Sequence, residues 1–545
     1  MSQFDIIFVL PYLFSDHPSF PEGLLKRSLE KEGFKVGVIE KPFWQKPESF
    51  TIHGKPKLFF AIIPGPVDST VLNYTASRKR RIEDQYQEKG AGFFPDYPPS
   101  IKYRIRPDNT VILFANRIRE KFKDTKIVIG GVESTLRQFA HYDFQKDKIR
   151  RSILFDSRAN LLIHGPGEKQ LVNIARSMRE GSDISEIKIN GTSRIEKDVS
   201  SLTNSITLPS YEDILNNKQN LLKAYLLKDK GIKSRKIICQ KHGDRFVVSY
   251  PVEHYNTEDM DSVYSLPYSR EHLKPGKYSP ALRMNLFSVT SHRGCGGGCS
   301  FCSISQNEGK QIISRSKESI LREISGLVKH REWKGVVSNV GGPSAEMYRF
   351  GCSKKTCLKD SCIFPKKCPS LKTGSDYLEL LREAEKIKGV KNIFVGSGIR
   401  FDNLTEDEEL LEKILRSHSG KFLRIAPEHT EDFILTLMKK PGFFELEKFM
   451  EVFNRINKSL KRKIKAAPYL IIGHPGEEKK DVEEMRRKIR SLDLDSTDAQ
   501  IFTPTPGTLS TAMYYSGRSP DGQEIHVEKD IKELVRRKNR IVVRG

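Results

Sequence analysis

Short apolar runs and amphipathic segments alternate from Phe4 to about Glu180. Phe4 to Leu10 reads as a buried strand, Pro21 to Glu32 as a helix ended by Gly33, and Lys35 to Ile39 as a second strand. Lys57 to Ile63, Lys126 to Ile129 and Asn160 to Ile163 read as further strands. Asn109 to Phe122 and Gly167 to Arg179 read as helices. Strands alternating with helices indicate βαβ units and a parallel sheet. Residues 1–185 are therefore expected to form a Rossmann-like domain with its ligand crevice at the carboxyl ends of the strands.

The pattern fades over residues 186–283, which are polar, lysine-rich and broken by Pro209, Pro251, Pro267, Pro275 and Pro280. They read as a connecting region with little regular structure of its own. A loop of that length is expected only where it packs on its neighbours or has a task. Alternation resumes over residues 284–517, with strands at Leu286 to Thr290, Gly335 to Val340, Asn392 to Val395, Phe422 to Ala426, Pro468 to Ile472 and Asp498 to Phe502. Helices fill most of the gaps, over Ser316 to His330, Asp376 to Lys388, Glu406 to Ser417, Glu431 to Lys439, Phe444 to Leu460 and Lys480 to Leu492. Six strand-helix repeats predict an incomplete parallel barrel, (β/α)6, with chemistry at the carboxyl ends of its strands. Residues 518–545 form a tail whose basic run, Lys532 to Arg544, is expected to be a solvated helix face.

Composition adds limits. A chain of 545 residues with 37% hydrophobic and 30% charged residues is a multidomain globular protein, neither a disulfide-stapled miniprotein nor a mainly disordered chain. Its net charge of +24 suits an anionic partner such as nucleic acid, or simply a solvated lysine-rich surface. No stretch of 18 apolar residues occurs, and the start, Met1-Ser2-Gln3-Phe4-Asp5, lacks the features of a secretion signal. A cytoplasmic protein with no membrane partner is expected.

Seven of the eight cysteines fall between Cys295 and Cys368, with only Cys239 apart. In a reducing compartment such crowding favours metal ligation over disulfides. Cys295-Gly296-Gly297-Gly298-Cys299-Ser300-Phe301-Cys302 directly follows a strand. Three thiolates spaced by three glycines let a loop wrap one iron-sulfur cluster, with backbone amides turned toward sulfide. Three ligands for four irons leave one iron open to a substrate or cofactor, by the logic of catalytic zinc.

This spacing, with an aromatic residue before the last cysteine, resembles the cluster motif of the radical S-adenosylmethionine (SAM) superfamily. The resemblance implies a [4Fe-4S] cluster on Cys295, Cys299 and Cys302, whose open iron is chelated by SAM. It implies reductive cleavage of SAM to a 5′-deoxyadenosyl radical, and a flavodoxin- or ferredoxin-like electron donor. Gly341-Gly342-Pro343 is similar to the family element whose backbone meets the SAM amino group, with proline where glutamate is usual. Ala426-Pro427-Glu428-His429-Thr430 is similar to the segment whose glutamate contacts the SAM ribose, which makes Glu428 the candidate. Ile472-Gly473-His474-Pro475-Gly476-Glu477 is similar to the turn that frames the adenine, and Phe502-Thr503-Pro504-Thr505-Pro506-Gly507-Thr508 to the end of the sixth strand in related subfamilies. Cofactor contacts are thus expected at Phe301, Gly341, Gly342, Pro343, Glu428 and Gly473; no catalytic residue toward substrate is assigned.

A second group, Cys352, Cys357, Cys362 and Cys368, lies in a cysteine-rich insertion at residues 347–370. Four thiolates can close a zinc site or hold an auxiliary iron-sulfur cluster, and their spacing leaves both open. With Met347-Tyr348-Arg349-Phe350-Gly351-Cys352, Gly396-Ser397-Gly398-Ile399-Arg400-Phe401-Asp402 and Leu208-Pro209-Ser210-Tyr211, the chain resembles the YgiQ family over nearly its whole length.

The first domain is similar in layout to the cobalamin-binding domains of many radical SAM enzymes, and Gly130-Gly131-Val132-Glu133 and His164-Gly165-Pro166-Gly167-Glu168 are like their turns. The D-x-H-x-x-G histidine motif is absent. Asp16-His17-Pro18 has the wrong spacing, so His17 reads as a turn residue and cobalamin is not the favoured expectation. The leading functional expectation is a radical SAM enzyme of unassigned substrate. The alternatives are an RNA-modifying, methylthiotransferase- or methyltransferase-like radical SAM enzyme, and a non-catalytic iron-sulfur protein that binds nucleic acid or senses redox state.

Overall fold

The computed structural model describes residues 3–95, 103–352, 357, 359, 361–460, 462–494 and 499–542. Met1 and Ser2, parts of the cysteine-rich insertion, the start of the sixth barrel strand at Asp498 and the last residues of the basic run lie outside that range. The chain forms two compact units, Met1–His254 with Ser262–Leu286, and Tyr255–Asp261 with Phe287–Gly545.

The first unit is built on one nine-stranded sheet. Its strands are β1 (Ile6–Leu10), β2 (Val36–Glu40), β3 (Phe59–Ile62), β4 (Ile127–Ile129), β5 (Leu161–Ile163), β6 (Thr192–Glu196), β7 (Ser205–Leu208), β8 (Ile237–His242) and β9 (Arg245–Ser249), in the spatial order β2-β1-β3-β4-β5-β6-β9-β8-β7. The run from β2 to β5 is parallel throughout. Every side chain of β1 is buried, as expected of a central strand covered on both faces. The helices begin and end on local signals. In α1 (Pro21–Lys31) proline occupies the first turn, where its missing N–H costs nothing, and Gly33 beyond the end takes a φ of +79°. The helices α2 (Thr110–Lys121) and α3 (Glu168–Arg179) stand where the sequence pattern places them.

The region 186–283 departs from its expected irregularity. It supplies β6 to β9 and the helix α4 (Gln219–Lys233), which extend the parallel sheet by a mixed edge. The tight turn at Gly243, φ +63°, joins β8 to β9 as a hairpin. Polar composition misled here because edge strands are solvated on one side and carry lysine and arginine without cost.

The second unit carries six parallel strand positions: β10 (Ser288–Thr290), β11 (Asn339–Gly341, preceded by a short piece at Val336–Val337), β12 (Asn392–Ile393), β13 (Phe422–Glu428), β14 (Lys465–Ile472) and β15 (Ala499–Ile501). β10 pairs with β11, Val336–Val337 with β12, and β13 with β14 and β14 with β15, all parallel. A parallel bridge between Ile399 and Ile425 links the third position to the fourth. This is an open, partial (β/α)6 barrel. Its helices α5 (Lys317–Leu327), α6 (Asp376–Glu385), α7 (Glu408–Lys413), α8 (Phe443–Ser459) and α9 (Lys479–Ser491) bury one apolar stripe each against the strands.

The tail also departs from expectation. After α10 (Leu509–Ser516) the chain returns as α11 (Ile531–Ile541), which buries Leu534, Arg537 and Ile541 beside β15 and α9. The basic run is therefore a packed helix with a charged outer face. Among the described residues, no helix is long and apolar enough to cross a membrane.

Candidate functional site

The cysteine loop follows β10 at the carboxyl end of the barrel. His292–Arg293 pairs with Ile313–Ser314 and holds the loop's entrance closed. Gly294 takes a φ of +80°, and a Cβ there would lie 2.0 Å from the Gln311 carbonyl oxygen. The Cys295 amide donates to Gly309 O at 3.2 Å, and the Ser300 amide to Met438 O at 3.0 Å. Ser300 Oγ lies 2.8 Å from Ser510 Oγ, which lies 2.7 Å from His474 Nε2, so the turn after β14 and the start of α10 brace the loop. Phe301 meets His474 edge-on with ring centroids 6.5 Å apart.

Burial pushes the Cys295 thiol up to about 11 and the Cys302 thiol up to about 12, with the neighbouring Cys299 adding to both. Thiols so disfavoured as free thiolates need a cationic centre to deprotonate them, and bound iron supplies one. A second cation is built in. Arg400 Nη1 donates to Cys299 Sγ at 3.4 Å, and the same guanidinium grips both oxygens of Asp402 at 3.2 and 2.9 Å. Burial works against the Arg400 charge, but Asp402 and the cysteines outweigh it and hold the side chain protonated. A Cβ on Gly297 would come within 2.9 Å of Arg400 Nη1, so the glycine admits the guanidinium to the loop. Arg400 had been noticed only within a family-like segment, with no role attached.

The expected cofactor contacts gather around this loop. Gly341 ends β11 and Gly342 follows; a Cβ on them would fall 2.8 Å from Ser397 Oγ and 2.6 Å from the His292 ring. Their smoothness thus serves close packing of the second strand end against the first and third. Pro343 leads into Ser344 and Glu346, a carboxylate that the sequence reading missed. Glu346 is buried, accepts from Ser344 Oγ at 2.8 Å and from Asn403 Nδ2 at 2.9 Å, and is pushed up to about 6 by burial. It acts electrostatically on Cys295 and borders a cavity of about 240 Å³ with Phe350, Asn403 and Leu404. The available signal was a glutamate three residues beyond a proline that stands where the family has glutamate.

Glu428 ends β13 at a break in the pairing register and takes a φ of +69°, a conformation that costs a non-glycine residue about 1 kcal/mol or more. Its carboxyl is raised by burial, against the opposing charges of Lys440 and Arg400. Gly473 takes a φ of +79° after β14, and its amide donates to Glu477 Oε2 at 2.9 Å. A Cβ on Gly473 would lie 2.3 Å from Leu534 Cδ2, so α11 closes over this turn. Arg537, almost wholly buried, lies 3.5 Å from Glu477 Oε1 and 2.9 Å from Glu528 Oε2.

The second cysteine group sits against the first. Cys352 lies in a short antiparallel pair, Gly351–Cys352 with Leu371–Lys372. The Cys362 amide donates to Gly296 O at 2.9 Å, the Cys368 amide to Cys362 O at 2.8 Å, and Ser361 Oγ to the carbonyls of Gly296 and Gly297 at 3.2 and 2.7 Å. Burial raises the Cys362 thiol, and Cys357, Cys368 and Cys352 add to it, so all four thiols lie within electrostatic reach of one another. Met347, Phe350 and Ile363 form the apolar floor beneath both Cys295 and Cys362. Among the described residues no three thiol, imidazole or carboxylate groups stand at the spacing of a single coordinated ion. A cubane cluster holds its ligand sulfurs farther apart than one ion does, and the donor set of the first loop, three cysteines with glycines between, fits such a cluster.

In the first unit the carboxyl ends of β1 and β3 flank the point where strand order reverses, the usual ligand crevice of such sheets. Here the chain's own side chains fill it. Arg106, fully buried, donates to Pro64 O at 2.6 Å and to Asp84 Oδ2 at 2.9 Å, with its guanidinium 5.1 Å from the Tyr12 ring centre and 5.9 Å from that of Tyr86. Gln87 Nε2 donates to Pro11 O at 2.6 Å, and Tyr12 Oη to Glu22 Oε2 at 2.8 Å. His17 is buried with its ring nitrogens 2.7 Å from Arg270 Nη1 and 2.9 Å from the Ser19 amide, and burial followed by Arg270 lowers its pKa. His164 Nε2 lies 3.2 Å from Ser249 Oγ. Glu133, after Gly130 and Gly131, is buried and accepts from the Val111 amide. These residues do not fit a corrin ring at this crevice.

Residues 1–288 match the Radical SAM N-terminal family and residues 289–489 the Radical SAM superfamily, and the chain belongs to the radical SAM superfamily. Within it the chain belongs with the UPF0313 proteins. It is 40% identical to a UPF0313 protein of Clostridium botulinum (strain ATCC 19397 / Type A), covering 97% of this chain and 83% of the relative, and 39% identical to one of Methanocella arvoryzae, covering 97% and 88%. In fold it is similar to the radical S-adenosylmethionine methyltransferase TsrM from Kitasatospora setae with tryptophan substrate and a SAM analog bound, at 15% identity and a TM-score of 0.52, covering 92% of this chain and 74% of that one. A second TsrM structure, with cobalamin and a [4Fe-4S] cluster bound, aligns at 16% identity and a TM-score of 0.51, covering 94% and 75%. The superfamily implies a [4Fe-4S] cluster and SAM as cofactors.

Proposed function

We propose that this protein is a radical SAM enzyme whose Cys295, Cys299 and Cys302 hold the [4Fe-4S] cluster, and which abstracts hydrogen from its substrate. The observation that carries the reading is the three-cysteine loop at the carboxyl end of a parallel barrel, with a buried arginine on one of its sulfurs. When bound, the reduced cluster supplies the electron that cleaves the SAM sulfonium.

The chain's own residues bind, orient and exclude water. Arg400 neutralises charge at Cys299 and is itself fixed by Asp402. The backbone at Gly341, Gly342 and Pro343 receives the amino group of SAM, Glu428 the ribose hydroxyls, and the Gly473 turn with Phe301 frames the adenine, as the family resemblance implies. The packed turn of Gly473 under Leu534 and the bracing of Ser300 by Ser510 keep these contacts rigid and dry. Cobalamin has no part in this reading, because the crevice that would hold it is filled by Tyr12, Tyr86 and Arg106.

The test is anaerobic reconstitution with iron and sulfide, followed by SAM and dithionite. The wild-type protein releases 5′-deoxyadenosine, whereas Cys299→Ala releases none and keeps its circular dichroism spectrum. A fully reconstituted wild-type protein that leaves SAM intact overturns the reading and favours a non-catalytic iron-sulfur protein.

A further inference from the structure

The cysteine-rich insertion combines three features that the reading above does not use. Its four cysteines converge, Cys362 being within electrostatic reach of Cys352, Cys357 and Cys368. It is bonded onto the first cluster loop: the Cys362 amide and the Ser361 hydroxyl both donate to Gly296 O, and a Cβ on Gly296 would lie 3.3 Å from Cys362 Cβ. The two cysteine groups are thus separated in space by the width of one glycine. Finally, its surface is cationic. Between Cys352 and Lys372 the sequence holds six lysines and a single acid, Asp360. Lys359, Lys366, Lys367 and Lys372 are exposed, and Lys359 Nζ lies 3.4 Å from Cys368 Sγ.

A structural zinc site would account for the thiols but gains nothing from contact with the first loop. An iron-sulfur cluster in the same place lies one van der Waals contact and a few bonds from Cys295. A cationic rim around it meets the chemistry of small one-electron carrier proteins, whose acidic surfaces are steered by such a field. Nucleic acid is the other anionic partner that a basic surface attracts, but it has no use for four thiols set against a redox centre.

We propose that Cys352, Cys357, Cys362 and Cys368 bind a second iron-sulfur cluster, and that the lysines around it dock an acidic one-electron carrier whose electrons pass through that cluster toward the Cys295 loop. Each transfer oxidises the carrier by one electron and reduces the second cluster by one; the second cluster returns to its oxidised state when the electron moves on. No bond to carbon, nitrogen or sulfur is made or broken. The proposal rests on the assignment of the first cluster to Cys295, Cys299 and Cys302.

Two measurements test it. In the first, iron, zinc and low-temperature EPR are measured on the anaerobically reconstituted full chain. The Cys295→Ala/Cys299→Ala/Cys302→Ala protein should keep about half the wild-type iron and one EPR signal, and Cys362→Ala/Cys368→Ala should keep the other signal. Zinc in place of iron, or no metal in the first variant with a normal cluster in the second, overturns the proposal and leaves the radical SAM reading intact. No cluster in the wild-type protein defeats both. In the second, stopped-flow reduction is followed with a recombinant acidic ferredoxin and, separately, with dithionite. Lys366→Glu/Lys372→Glu should slow reduction by ferredoxin about tenfold or more at low salt, leave reduction by dithionite unchanged, and remove the salt dependence of the ferredoxin rate. An unchanged ferredoxin rate overturns the docking surface. Loss of binding to a labelled transfer RNA without any change in ferredoxin rate overturns it in favour of a nucleic-acid surface.

Discussion

Arg400 Nη1 donates to the Cys299 sulfur at 3.4 Å, which places a permanent positive charge on the ligand side of the candidate cluster. Hydrogen bonds and positive charge at a ligand sulfur stabilise the reduced cluster and so raise its potential.

Arg400→Gln should therefore lower the midpoint potential of the reconstituted first cluster, read by EPR-monitored redox titration, and slow SAM cleavage at fixed reductant. The change also strands Asp402 in a buried site, which costs about 3–5 kcal/mol of stability. Arg400→Gln/Asp402→Asn should recover much of that stability without recovering the potential. A double variant that restores both would mean that Arg400 acts only as a structural ion-pair partner.

Glu346 gives a pH dependence with a definite sign. Its carboxyl is pushed by burial from about 4.5 up to about 6, so the folded protein holds this proton more tightly than the unfolded chain. The resulting stabilisation is full below about pH 4.5, declines as pH rises and is gone above about pH 6, a loss of about 2 kcal/mol. Urea unfolding at pH 4.5 and 6.5 should show this loss in the wild type and a smaller one in Glu346→Gln. Equal slopes in the two proteins would remove Glu346 as the titrating group.

Gly473→Ala combines a φ of +79° with a Cβ placed 2.3 Å from Leu534 Cδ2. The strained backbone and the clash together should cost about 2–4 kcal/mol. The first response should be release of α11, seen as faster tryptic cleavage near its lysines and arginines. Adding Leu534→Ala should relieve the clash but not the backbone strain, so cleavage should remain faster than in the wild type.

The filled crevice of the first unit predicts that protein produced with hydroxocobalamin in the medium carries no corrin absorption after gel filtration. It also predicts that Arg106→Ala, which leaves Asp84 buried without its 2.9 Å partner, loses about 3–5 kcal/mol of stability. Stoichiometric corrin in the wild-type protein would contradict the packing of Tyr12 and Tyr86 about Arg106.

What the sequence by itself determined follows from short-range chemistry. Strands β1 to β5 were legible because each is an apolar run closed by glycine, proline or an amphipathic helix. The Cys295 loop was legible because three thiolates and three glycines in eight residues leave few other uses. Contacts between distant segments left no such mark. The four edge strands after residue 190 have one solvated side, so their composition resembles a loop until β5 is present to pair with β6. The C-terminal helix is too charged to announce a buried stripe, and only the turn at Gly473 gives Leu534 somewhere to go. Arg400 lies about a hundred residues from Cys299, Glu346 and Asn403 come from different strand ends, and Cys362 reaches Gly296 across the whole second repeat. Ligand identity is thus written in local spacing, whereas the charge, the buried carboxylate and the second thiol group around the cluster loop come together only when the barrel closes its strand ends on one another.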